Sequence, residues 1–423
     1  MGLNIFLVAR KAKGILPSPK EVAKWISSNY GEMVERFWSG EDEQGLPLLT
    51  AQLHPAAESL MFTWLGLAIN FAAKTSGAGP GYHHFLSEFL DDFAANFKLV
   101  WDAPDEQQGT GDESGYFFSR DIESLHTAFE DWLANLSARI LEVLAEHYKR
   151  PVHLSMPEGA LFQVESAVVT PMGPRDDAWL QRAANEPEAA FDLFPWNDQE
   201  MGAAYWLGRA LCLMWSEVRW RNPYVDKETE LLKKVVDALK RAWELNPNLS
   251  YPFSEWHEIN TLLEDESALA KQIAQRARSH KGPLVGYRRG DVEIEALRGW
   301  SVCIPGSFLV RDEDDGGICA YADSREVWVS SLSVVKKDGK PPSATELLRD
   351  EKKPAPQMRF NENGVQGIAN IVQKTGEEGT YFQLEGRVAV LGNLAITTIL
   401  FPSEEHRSWA EAVWKSLRHQ ALL

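Results

Sequence analysis

Hydrophobic and polar residues alternate with period two on both sides of Leu65 and Gly66. Leu60, Phe62 and Trp64 stand against Ser59, Met61 and Thr63, then Leu67, Ile69, Phe71 and Ala73 against Ala68, Asn70, Ala72 and Lys74. Two such runs around a short glycine-containing loop predict a β-hairpin, although the alanines would also suit one long helix. The period is helical in the flanking segments. Val22, Trp25 and Ile26 follow Pro19, a residue tolerated in the first turn of a helix, and Phe85, Leu86, Phe89, Leu90 and Phe93 share one face of a helix over 83–97. Residues 98–102 read as a short strand and 103–115 as a polar, glycine-rich, mobile surface loop. A long amphipathic helix is expected over 121–149 and a strand over 160–169, ended by Pro171.

From 198 to 279 the pattern is almost purely helical, and after Gly282 and Pro283 it turns to period two, with seven strands expected and helices over 343–350 and after Pro402. The fold class expected is therefore multidomain α+β: a mixed α/β domain over 1–180, a helical domain over 181–281, and an antiparallel sheet flanked by helices over 284–423. Within the helical part, Ala204, Leu207, Gly208 and Leu211, followed by Leu239, Ala242 and Pro247, resemble a tetratricopeptide helical hairpin. Gly208 and Pro247 lie 39 residues apart, beyond the roughly 34-residue period of that repeat, and no second copy follows. A close-packed helix pair is expected, with Gly208 and Ala242 at the contact.

The last third carries a second likeness. The run from Gly299 and Trp300 through Ile304, Pro305, Gly306 and Phe308, the segment Tyr381 to Gly386, and Trp409, Val413, Trp414 and Leu417 near the end resemble the PsbP-like family. That resemblance implies an antiparallel sheet flanked by helices. The family includes photosystem subunits, a Ran-binding factor and bacterial secretion adaptors, so it implies protein binding more than catalysis.

Charge narrows the partners. The chain has 423 residues, 43 Lys and Arg against 61 Asp and Glu, and a formal net charge of −18. Such a surface repels phosphate backbones, so no nucleic-acid partner is expected, and a basic protein partner is the natural complement. No apolar run approaches the roughly 18 residues of a membrane span, and three cysteines (Cys212, Cys303, Cys319) without metal-ligand spacing predict no disulfide framework and no metal. No cofactor motif is present, and a cytoplasmic location is expected.

The unusual string is Thr75-Ser76-Gly77-Ala78-Gly79-Pro80-Gly81-Tyr82-His83. Gly77, Gly79 and Gly81 would let backbone N–H groups line an anion pocket ahead of a helix. If the chain were an enzyme, a hydrolase or transferase acting on an anionic small molecule, His54, Glu58, Ser76, Tyr82 and His83 would converge there as acid, base and hydroxyl groups. If not, the string is a tight strand-to-helix connection. The first expectation is a non-catalytic protein-binding protein, of the toxin-neutralising or secretion-adaptor kind.

Overall fold

Ile5, Leu7 and Ala9 point inward and Phe6 outward on the first strand, β1 (Asn4–Arg10), which sets the two faces of the sheet that follows. The computed structural model describes all residues except 1, 12, 106, 148–150, 157–159, 280–281, 314–315, 350–354, 363, 377–378 and 421–423. Helix α1 (Pro19–Tyr30) starts on a reciprocal cap: the Ser18 hydroxyl accepts from the Glu21 amide, and the Glu21 carboxylate accepts from the Ser18 amide. Strands β2 (Arg36–Glu41) and β3 (Pro47–Gln52) lead to the expected hairpin, β4 (Leu60–Leu65) and β5 (Ala68–Lys74), but its turn is Gly66 and Leu67, one residue later than the alternation suggested, with Leu67 exposed at the tip. Helix α2 (Pro80–Phe97) then returns across the sheet.

Two short strands, β6 (Val100–Trp101) and β7 (Gly111–Asp112), pair with opposite ends of β1. The sheet is antiparallel throughout, in the order β2-β3-β4-β5-β1-β6, with β7 beside β1. Its inner face buries Leu49, Phe62 and Phe71 against Val22 and Ile26 of α1 and Phe89 and Phe93 of α2. The 103–115 segment expected as a mobile loop is thus partly structure: it contributes β7 and leads into the short helix α3 (Tyr116–Ser119).

Helix α4 (Ile122–His147) buries Leu125, Phe129 and Leu133 in a second cluster with Val168, Trp179 and Leu180. The strand expected over 160–169 is two strands in different sheets. β9 (Ala160–Phe162) belongs with the carboxyl-terminal elements, whereas β10 (Val168–Thr170) lies between β8 (Val152–His153) and β11 (Gly173–Arg175). After α5 (Asp177–Asn185) come four helices, α6 (Ala203–Ser216), α7 (Asp226–Leu245), α8 (Phe253–Leu262) and α9 (Ala268–Ala277). α6 and α7 pair, but the contact at Gly208 is different from the one expected. A Cβ there would stand 2.3 Å from the Pro195 carbonyl, so the glycine admits that backbone.

The chain clusters into two compact units: 1–157 with 164–218 and 222–286, and 287–423 with 158–163 and 219–221. Trp196, Tyr205 and Cys212 sit in the same core as the first sheet, so the segments 1–180 and 181–281 share that core. The second unit pairs β9 with β12 (Asp291–Ala296), then β13 (Trp300–Pro305) and, at the end of the chain, β21 (Arg418–His419). Its larger sheet has seven antiparallel strands. In chain order they are β14 (Leu309–Asp312), β15 (Ile318–Ala322), β16 (Arg325–Ser333), β17 (Met358–Glu362), β18 (Val365–Gly376), β19 (Gly379–Val390) and β20 (Asn393–Phe401). Across the sheet the order is β14-β15-β16-β20-β19-β18-β17.

Helices cover both faces of this sheet. α10 (Ala344–Leu348) packs on Ile368, Ala389 and Leu394. α11 (Arg407–Lys415) brings Trp414 over the other face, where a Cβ on Gly386 would stand 2.6 Å from the indole. The protein is a multidomain α+β fold with a helix-flanked carboxyl-terminal sheet. Among the described residues, no helix is long and apolar enough to cross a membrane.

Candidate functional site

The glycine string joins β5 to α2, and the space its missing side chains leave is filled. A Cβ on Gly77 would stand 2.3 Å from the Ser155 hydroxyl, one on Gly79 2.5 Å from the Trp196 carbonyl, and one on Gly81 2.2 Å from the Asp198 carbonyl. The Gly81 amide donates to the Trp196 carbonyl and the Trp196 amide to the Ala78 carbonyl, each at 3.1 Å, while the Ala78 and Gly79 amides bond back to Thr75. These donors are engaged within the chain. What Gly79 and Gly81 admit is the 194–198 segment, and Gly77 admits Ser155 and the Ala56 carbonyl, with Gly79 at φ 110° making the turn that an L side chain would oppose.

The expected site residues do not gather on an open pocket. Glu58 is exposed and pairs with Lys74 at 2.5 Å. His54 is fully buried among Tyr82, Trp196 and Tyr205, with ring centroids 6.3, 6.0 and 6.0 Å away. Its Nδ1 accepts from the Ala56 amide at 3.2 Å, which places the proton on Nε2. Burial, with the Arg209 charge adding to it, drives its pKa well below that of a free imidazole, so His54 is a neutral core group. Tyr82 is also fully buried, and burial pushes its phenol far up. The Ser76 hydroxyl, the Tyr82 hydroxyl and His54 Nε2 have no hydrogen-bond partner among the described residues.

His83 has partners that the sequence did not suggest. Its Nδ1 meets the Thr75 hydroxyl at 2.8 Å, and its Nε2 faces Asp112 Oδ2 at 3.1 Å and Ser114 Oγ at 3.2 Å. Asp112 also accepts from the amides of Phe117 (2.7 Å) and Ser114 (2.9 Å) and from the Ser114 hydroxyl (2.9 Å). Burial pushes the carboxyl up, but hydrogen bonding to His83, the His83 charge and those amides outweigh it, and Asp112 lies below the usual carboxylate range.

Serine, histidine and aspartate are together here, yet the arrangement is not that of an activated nucleophile. A catalytic carboxylate bonds the imidazole nitrogen opposite the serine. Here both groups crowd Nε2, and the Ser114 proton is directed at Asp112. With the His83 and Asp112 side chains wholly inaccessible, the cluster ties the 111–117 segment to the start of α2. Among the described residues, no group of three or more His, Cys, Asp or Glu is arranged to hold a metal ion.

The outer face of the first sheet is the more accessible feature. Pairing register places Trp38, Thr50, Met61, Ala72 and Phe6 in one row across five strands. Trp38 is 49 %, Met61 42 % and Phe6 47 % exposed, and Leu65 and Leu67 at the hairpin tip are more exposed still. Gly40 leaves room for the Trp38 ring to lie along β2, since a Cβ there would stand 2.4 Å from it. Beyond the Trp38 end, the β2–β3 turn carries Glu41, Asp42 and Glu43. Alternation in β4 and β5 marked the inner face, and the same parity marks this outer row once the register is known.

No protein-family model and no curated protein matches the chain. Among solved structures it is similar to the crystal structure of a protein from Bacteroides thetaiotaomicron VPI-5482, at 12% identity and TM-score 0.26 over 31% of this chain and 49% of that one. The chain thus spans about half the length of that protein. It is also similar to the solution structure of cyanobacterial PsbP (CyanoP) from Synechocystis sp. PCC 6803, at 15% identity and TM-score 0.18, over 33% of this chain and 96% of that one. Likenesses this loose concern parts of the fold and say nothing of activity or partners.

Proposed function

We propose that the chain is a non-catalytic protein-binding protein that docks a basic protein partner in the cytoplasm, of the toxin-neutralising or secretion-adaptor kind. The observation that carries this reading is the open apolar row Trp38, Met61 and Phe6 on the first sheet. Contiguous exposed apolar surface rimmed by charge is a usual mark of a protein interface. The acidic turn Glu41 to Glu43 at one end, and the net charge of −18, favour a basic partner through steering. Burial of His54, Ser76, Tyr82 and His83, with Glu58 exposed beside Lys74, supports the binding reading over the hydrolase or transferase reading.

The test is capture from an extract of the native host on immobilised full-length chain, at low and moderate salt, with Phe6→Asp and Trp38→Asp variants in parallel. A stoichiometric basic protein held by the wild type and lost by both variants is the expected result. Absence of any stoichiometric partner at either salt, or one retained equally by the variants, would overturn the proposal.

A further inference from the structure

Strand β2 is an outermost strand of the first sheet, and one of its sides is an open row of backbone hydrogen-bonding groups. The Asp42 amide donates to the Leu46 carbonyl at 2.9 Å, in register with the next pair, Glu41 and Pro47. Antiparallel pairs exchange hydrogen bonds at every second residue, so Arg36, Trp38 and Gly40 bond to β3. Phe37, Ser39 and Glu41 therefore turn their N–H and C=O groups away from the sheet. Among the described residues, no strand pairs with that side.

Sheet edges are ordinarily blunted by lysine, proline, an inward-pointing charge or a covering helix. From Phe37 to Gly40 the strand has no charged residue and no proline, and its side chains are not covered. Phe37 and Trp38 stand on opposite faces, 38 % and 49 % exposed, so an added strand would bury an apolar side chain on each face. The two ends differ in charge. Arg36 is paired with Glu217 at 3.4 Å. At the other end Glu41, Asp42 and Glu43 make no ion pair among the described residues, and the Asp42 carboxylate fixes the turn by accepting from the Gln44 and Leu46 amides.

We infer that β2 takes up an added antiparallel strand from a basic protein: an extended segment with Lys or Arg at its amino end, beside Glu41 to Glu43, and apolar residues after it, beside Trp38 and Phe37. This rests on the reading that the first sheet docks a basic partner, and it adds how that partner is held. Main-chain hydrogen bonds at Phe37, Ser39 and Glu41 supply the hold, while the two rings and the acidic turn select the sequence. A second copy of β2 fits less well. Laid antiparallel, it would bring its acidic turn beside Arg36, whose charge Glu217 already meets.

Titration calorimetry on the full chain at low salt tests this with the end-blocked peptide Lys-Lys-Lys-Val-Thr-Val-Val-Thr, whose third, fifth and seventh residues fall opposite Glu41, Ser39 and Phe37. Saturable binding with Kd below about 1 mM is expected. The same peptide N-methylated at those three residues keeps its charge but loses its donors, and should bind at least about tenfold more weakly. Ser39→Pro removes one outward N–H from an edge strand, a position that tolerates proline, and should weaken the plain peptide as much without changing the melting temperature. Glu41→Gln with Glu43→Gln should also weaken it, and added salt should do the same. No saturable heat, equal affinity for the plain and methylated peptides, or unchanged affinity in a folded Ser39→Pro variant would overturn the inference. So would a wild-type dimer in sedimentation that Ser39→Pro breaks, since the edge would then belong to a second copy. A host protein captured by wild type, lost with Trp38→Asp but kept by Ser39→Pro, would sink the added strand and leave the partner reading standing. Peptide binding of the expected kind with no host protein captured would do the reverse.

Discussion

His83 Nε2 stands 3.1 Å from Asp112 Oδ2, and neither side chain reaches solvent. Twenty-nine residues separate the two in sequence. Removing the carboxylate strands four donors at once: the imidazole N–H, the Ser114 hydroxyl and the amides of Ser114 and Phe117. Asp112→Ala should therefore cost about 3–5 kcal/mol, the range for breaking a buried charged pair. Urea denaturation reads the loss, and hydrogen exchange at 111–117 should quicken more than in β4 and β5. A loss under about 1 kcal/mol would show that the cluster clamps nothing.

Gly81 is a packing residue by the geometry above, so Gly81→Ala drives a methyl group into the Asp198 carbonyl and the Trp196 ring. Overpacking of this sort costs about 1–3 kcal/mol, with the 194–198 segment displaced. Gly290→Ala is the control, since its Cβ would meet nothing nearer than 3.7 Å. Thermal melts should show the first variant well below wild type and the second near it. Equal melting temperatures would mean that the glycine string is open after all.

The legibility of these features differs for physical reasons. The β4–β5 hairpin, the helix that starts at Pro19 and the apolar face of α2 are encoded by neighbours in sequence, and all three could be read there. β14 and β17 escaped notice because they are the two edge strands of their sheet, half covered at most, and so lack a buried alternation. At the candidate site, the string 75–83 was visible as an absence of side chains. What fills that absence at Gly79 and Gly81 is 194–198, more than a hundred residues away, and no local pattern announces it. Asp112 looked like one more charge in an acidic loop for the same reason.

His54 gives the fold a pH dependence of definite sign. Burial holds its folded-state pKa well below the unfolded value, about 6.5. Below that value the unfolded chain takes up a proton that the folded chain refuses. Stability is thus fully present above about pH 6.5 and falls by about 1.4 kcal/mol per unit as pH drops below it, until the folded pKa is reached. His54→Asn keeps an acceptor for the Ala56 amide and should flatten the slope between pH 6.5 and 5, whatever it does to absolute stability. An unchanged slope would assign the effect to another group.

The Tyr82 hydroxyl is buried without a partner among the described residues, an arrangement that costs more than it returns. Tyr82→Phe should be as stable as wild type or more stable by up to about 1 kcal/mol. Denaturant midpoints at constant m-value decide it. A clear loss of stability would reveal a hydrogen bond to that hydroxyl.

The last expectation concerns the carboxyl-terminal unit on its own. The fragment 284–423 contains both faces of the seven-stranded sheet with α10 and α11, which is enough to bury a core at ordinary domain length. It lacks β9, which pairs along β12, and with it Phe162, a fully buried ring that stacks on Tyr287 at 5.0 Å. It also lacks Arg219 and Arg221, which donate to the carbonyls of Phe308 and Ser307 at 3.0 and 2.7 Å. The missing ring alone is worth about 3–5 kcal/mol, and β12 is left with an open edge. The fragment should melt cooperatively but well below a version that carries residues 158–165 joined ahead of 284 through a glycine-serine linker. If both versions melt alike, β9 contributes nothing to that core. If neither shows a cooperative transition, the unit does not fold apart from the rest of the chain.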